Sequence, residues 1–161
     1  HPTAIPRLRS MRKPYFILPA PVVYLAFFLL AWGLSSLWPL PLPSTPWTWF
    51  LGWAAIDAGM LLMLWTAWLM LWRKTTLNPY GKPQQLLTEG PFRVTRNPIY
   101  VADTLLYIGA ALLFADLWVW ILLPIVVLAV SIGVIRHEER LLMQHFGEDY
   151  RDYMSKVRRW L

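Results

Sequence analysis

The chain has 161 residues, 57% of them hydrophobic and only 15% charged, with a mean hydropathy of +0.42, a profile that points to lipid as the solvent and away from a compact water-soluble domain. It contains no cysteine, which excludes disulfides, thiolate metal sites and cysteine nucleophiles. Fifteen Lys and Arg against nine Asp and Glu leave +6; in a soluble chain that excess suggests nucleic acid, but in a membrane chain the question is where the charges lie.

In chain order, an uncharged run from Pro19 to Leu37 ends in the Pro-rich stretch Trp38–Pro43, and a second run from Trp47 to Trp72 carries Asp57 as its one charge. Both exceed the ~18 apolar residues that mark a spanning helix. The second would extend about 39 Å at ~1.5 Å per residue, so its end is expected to protrude or tilt. The runs Pro98 to Phe114, with Asp103 inside, and Leu117 to Ile135, with Pro124 inside, are joined only by Ala115 and Asp116, as in a tight transmembrane hairpin. The predicted spans are therefore about 19–38, 47–72, 98–114 and 117–136. A cleavable signal peptide is not expected, because the first run is long and lacks a small-residue cleavage pattern.

The cations decide the orientation. Arg7, Arg9, Arg12 and Lys13 precede span one; Arg73, Lys74, Lys82, Arg93 and Arg96 lie between spans two and three; the rest run from Arg136 to Arg159. All fall on one predicted side, which the positive-inside rule makes the cytoplasm, with both termini there and a bacterial inner membrane as the expected location. Trp38, Trp47, Trp49, Trp118 and Trp120 gather at the opposite boundary as an aromatic belt.

The loop 73–97 carries turn formers at Asn78–Pro83 and at Glu89-Gly90-Pro91 and ends in Arg96-Asn97-Pro98, where Asn97 suits an N-cap and Pro98 the first helical position. A helix N-terminus at a membrane surface also offers N–H groups and a positive dipole end to an anion. After span four, the helical pattern continues through Arg136-His137-Glu138-Glu139-Arg140 to Phe146 and stops at Gly147, a C-cap. Arg136, Glu139 and Arg140 share one face, and surface ion pairing among them is the simplest reading. Tyr150, Tyr153, Met154, Val157 and Trp160 recur at helical spacing, which predicts an interfacial amphipathic helix, with packing over the cytoplasmic loop as the competing role. The glycines form neither a dinucleotide fingerprint nor a P-loop, and His137 and His145 miss the i, i+4 spacing of a helical metal pair. Asp57 and Asp103 are costly in lipid and are expected to face the bundle interior or a hydrated pocket.

Three blocks in fixed order, Leu87 to Tyr100 (LTEGPFRVTRNPIY), Glu138 to Met143 (EERLLM) and Phe146 to Tyr153 (FGEDYRDY), resemble the isoprenylcysteine carboxyl methyltransferase and phospholipid methyltransferase superfamily. The resemblance covers residues 86–161; spans one and two carry no matching motif. It implies an all-α integral membrane bundle, here a single domain over 1–161 with four transmembrane helices and a C-terminal amphipathic helix within 137–161. It implies S-adenosyl-L-methionine bound at the cytoplasmic end of the hairpin, with Thr88, Gly90, Arg96, Asn97, Pro98, Tyr100, His137, Glu138 and Glu139 as cofactor contacts. Arg136 and Glu139 are the implied catalytic residues. Asn97 stands where the family more often has His, and it cannot titrate, so a general-base role does not transfer to it. No metal or nucleic acid is implied; the partners are membrane lipids and a lipophilic methyl acceptor. Two other readings stay open: a membrane reductase using NADPH, related to sterol reductases, and a non-enzymatic helical scaffold.

Overall fold

A computed structural model describes residues 19–73 and 85–161. Arg7, Arg9, Arg12, Lys13, Lys74, Lys82 and the turn formers Asn78–Pro83 lie outside the described residues. Among those described, the chain is helical: α1 (Ala20–Leu37), α2 (Pro46–Trp72), a 3-10 turn (Gly90–Arg93), α3 (Pro98–Phe114), α4 (Leu117–Val130), a π-helical turn (Ser131–Ile135), α5 (Arg136–Phe146) and α6 (Glu148–Lys156). Helix α4, the π turn and α5 form one apolar-to-polar rod, Leu117–Phe146, of 30 residues. With α1 and α2 it makes three helices long and apolar enough to cross a membrane. Helix α3 is apolar but has 17 residues, about 25 Å at ~1.5 Å per residue. Three of the four expected spans are thus long and apolar enough to cross, and the fourth, α3, is a shorter apolar helix beside them.

The hairpin prediction is met at its tip. Ala115 takes a left-handed φ of 52°, and the Asp116 side chain caps α4 by accepting from Trp118 N. Beyond the tip the two helices part company, α3 packing chiefly along α2 and α4 along α1. Glycines allow the first contact: a Cβ on Gly109 would lie 2.6 Å from Gly52 O and from Ile56 Cγ1, and one on Gly59 3.0 Å from Ala102 O. Small residues at such crossings are how apolar helices gain contact when lipid supplies no hydrophobic drive. The second contact is filled by Tyr24, Ala31, Val119, Val126 and Val130, closed by edge-on Tyr24–Tyr107 and Phe28–Phe114 pairs.

The Pro-rich stretch does more than turn. Leu42 N donates to Ala115 O and Leu117 N to Leu40 O, while Asp116 Oδ2 accepts from Ser35 Oγ at 2.7 Å and Leu40 N at 3.1 Å. Burial disfavours the Asp116 charge, yet these bonds together with that from Trp118 N outweigh it and hold the carboxyl below the usual carboxylate range. The tryptophan-rich end of the bundle is thus clamped, and the described cations lie at the other end. Asp57 departs from expectation: it is exposed on the outer side of α2, because the Gly52, Gly59 and Thr66 face is the one turned inward. Asp103 is buried as expected, with Oδ2 lacking a hydrogen-bond partner.

Candidate active site

At the cation-bearing end, three pieces of chain converge: the segment entering α3, the start of α5, and the C-terminal segment after α6. Pro98 begins α3 as predicted, but Asn97 does not cap it with its side chain. Its Nδ2 donates instead to Arg159 O at 2.8 Å. The helix end is also a poorer anion trap than the sequence suggested. Pro98 has no N–H, and Tyr100 N and Val101 N both donate to Asn97 O, which leaves at most Ile99 from the first turn.

The side chains supply what the helix end does not. Tyr100 Oη donates to Glu138 Oε1 at 2.5 Å, joining α3 to α5. Glu139 meets two guanidinium groups: Arg96 Nη1 lies 3.3 Å from its Oε1, and Arg159 binds it bidentately, Nε to Oε1 at 2.8 Å and Nη2 to Oε2 at 2.9 Å. The Arg96 and Glu139 side chains are 11% and 14% exposed. The surface ion pairing of Glu139 with its helix neighbours is therefore replaced by tertiary pairing, while Arg136 and Arg140 are exposed. Hydrogen bonding to Glu139 raises Arg159 above the ordinary arginine range. Tyr150 is buried and hydrogen-bonded to the Arg96 side chain; burial and the Glu139 charge raise its phenol, against a lowering by Arg96.

The π turn sets the aim of this cluster. One wide turn rotates everything after it by about 100° relative to an unbroken α-helix. Ser131 Oγ, at its start, donates to Val127 O and accepts from Trp160 Nε1 at 3.0 Å. The amphipathic-helix expectation for the end of the chain is corrected in two ways. Helix α6 stops at Lys156, with Val157 extended, so Val157 and Trp160 do not continue its wheel. Its aromatic face is turned onto the loop, Tyr153 Oη donating to Phe92 O at 2.6 Å, which is the packing role. Burial raises the Tyr153 phenol, Tyr150 raising it further and Arg96 lowering it.

His137 is half-buried in α5 next to Glu138 in the chain, whereas Gly90 and Thr88 do not join the cluster. Gly90 takes a φ of +59° beside Leu69 and Trp65. Thr88 is exposed and lines a cavity of about 390 Å³ with Arg93, Asp149, Asp152, Tyr153, Lys156 and Val157, away from Arg96, Tyr100, Glu138 and Glu139. Arg159, Tyr150 and Trp160 were missed as site residues: each pairs across 20 or more positions, beyond the reach of a helical wheel. Among the described residues no group of His, Asp and Glu suits a metal ion.

Residues 47–149 match the family described as phospholipid methyltransferase, more than half of the chain. The match begins in α2, where the sequence offered no motif, and stops before Tyr150 and the C-terminal segment. No curated protein and no solved structure matches the chain.

Proposed function

The chain belongs to the phospholipid methyltransferase family, and from that membership we propose that it is a membrane enzyme transferring a methyl group from S-adenosylmethionine to a lipophilic acceptor. The acceptor enters sideways from the bilayer. The whole chain acts as one membrane unit, with α3 as the fourth span beside the three longer helices and both termini on the cytoplasmic, cation-rich side.

The observation that carries this reading is the buried meeting of Arg96, Glu139, Tyr100 and Glu138 between the α3 start and α5. Its donors suit the proposed cofactor, which presents a carboxylate, an ammonium and an electrophilic sulfonium methyl. Arg96 has Nε buried without an acceptor and Nη1 only loosely paired with Glu139, donors that suit a carboxylate. Glu138 provides the acidic partner for the ammonium, and Tyr100 and Pro98 the wall beside it. Asn97 and His137 flank the cluster, Thr88 and Gly90 lie apart from it on the same loop, and Glu139 fixes Arg96. Methyl transfer needs chiefly a nucleophile held in line in a dry place. Arg136, exposed where α5 leaves the apolar rod, is placed to orient an anionic group of the acceptor, and Glu139 is the nearby base for an acceptor that carries a proton. Calorimetry on detergent-purified protein tests the reading. S-adenosylmethionine binds and NADPH does not, and both Arg96→Ala and Glu139→Gln weaken binding about tenfold or more. NADPH binding instead would favour the reductase, and binding of neither would favour a scaffold.

A further inference from the structure

The last five residues form an extended strap laid across the site. Arg96 N donates to Arg158 O at 2.9 Å, Thr95 Oγ1 and Asn97 Nδ2 reach Arg159 O, and the Trp160 indole is pinned to Ser131 on the π turn. This backbone pairing carries the Arg159 guanidinium to Glu139. Arg96 Nη1 and Arg159 Nε both approach Glu139 Oε1, at 3.3 and 2.8 Å, and so lie within about 6 Å of each other.

The donors there are not all satisfied. Two guanidinium groups share one carboxylate, and the neighbouring Glu138 already accepts from Tyr100. Arg96 Nε is buried without an acceptor, and Nη1, though 3.3 Å from Glu139 Oε1, makes no well-aligned hydrogen bond to it. Arg159 spends two of its five N–H donors on Glu139 and retains the others. Buried charged donors without acceptors are costly, and an oxyanion is the chemistry that satisfies a pair of guanidinium edges held together in this way. The geometry points to Arg159, supplied by the C-terminal strap, as the second half of an oxyanion-binding fork whose first half is Arg96. Glu139 is its positioning residue. The strap lies outside the family-matched region 47–149.

A carboxylate or a phosphate would fit. The first would come from the methionyl end of the methyl donor and rests on the function proposed above; the second would come from a lipid headgroup and does not.

The test uses the full chain in detergent, as wild type, Arg159→Ala and Arg159→Lys, the last retaining charge but losing the planar fork. Calorimetry compares S-adenosylmethionine with its decarboxylated analogue, and native mass spectrometry compares retention of phosphatidic acid with that of diacylglycerol. In one of these pairs the wild type should prefer the oxyanion-bearing ligand about tenfold or more, and both variants should lose that preference while binding the anion-free partner unchanged. The pair that responds identifies the source of the anion. Should Arg159→Ala fail to fold, the lysine variant carries the test. The inference is overturned if the wild type shows no oxyanion preference in either pair, if folded variants keep it, or if both members of a pair weaken equally. If the wild type binds no S-adenosylmethionine but its phosphate preference depends on Arg159, the proposed function falls and the fork stands.

Discussion

Glu139 joins three segments that are far apart in sequence, and replacing it with Gln removes one charge without changing shape. In the Glu139→Gln protein, Arg96, 11% exposed, would face a neutral amide, and the bidentate grip on Arg159 would lose one of its two oxygen acceptors. Breaking a buried ion pair by removing one partner costs about 3–5 kcal/mol. Arg159 is 35% exposed, so its share is screened by solvent and adds little. Gln keeps one acceptor, which brings the expected loss to about 3 kcal/mol, or a fall of roughly 6–12 °C in melting temperature for a chain of this size. Thermal unfolding in detergent, followed by tryptophan fluorescence, measures it. Glu148→Gln is the control: the Glu148–Arg151 pair lies on the exposed face of α6, so its melting temperature should not move. If Glu139→Gln melts with the wild type, the cluster is not the joint that its geometry implies.

Further outcomes follow from the packing. Gly109→Val forces atoms into Gly52 O and Ile56, 2.6 Å from the Cβ position, and should destabilise by about 1–3 kcal/mol or prevent folding, whereas Gly33→Ala meets nothing within 4 Å and should melt at or above the wild-type temperature. The Asp116 carboxyl is depressed in the folded state, so its stabilisation is complete above its unfolded value of about 3.9 and is lost as pH falls through the lower folded value. The melting-temperature gap between wild type and Asp116→Asn should therefore be constant near neutrality and close below about pH 4; a gap unchanged at pH 2 would contradict the clamp. Trp160→Phe removes the indole donor to Ser131 and should make the last residues faster to trim with carboxypeptidase, read by intact-mass spectrometry, with helix content unchanged.

The helices were legible because lipid demands long apolar runs, and Pro98, Gly147 and the Ala115-Asp116 tip marked their ends through local backbone chemistry. The π turn was not legible: Ser131–Ile135 reads as ordinary apolar helix, and its wider winding shows only in three dimensions. Asp57 was misplaced because uniform hydrophobicity around α2 hides which face is inward, and the glycines at 52 and 59, which settle it, act through their fit to α3. At the site, the Arg96–Asn97–Pro98–Tyr100 and Glu138–Glu139 blocks stand out through their resemblance to the methyltransferase superfamily, and the structure brings Arg96, Tyr100, Glu138 and Glu139 together. Arg159 reads from sequence as part of the C-terminal amphipathic helix, because nothing local to it reveals that the chain leaves the helix at Val157 and turns back onto Asn97.

The most direct measurement of the central claim is transfer of a labelled methyl group. Purified protein is incubated with methyl-labelled S-adenosylmethionine and a total membrane lipid extract, and the organic phase is then counted and resolved by chromatography. The account predicts label in one lipophilic product class, dependent on the protein and lost with Arg96→Ala. An organic phase that stays unlabelled with folded wild-type protein would contradict it.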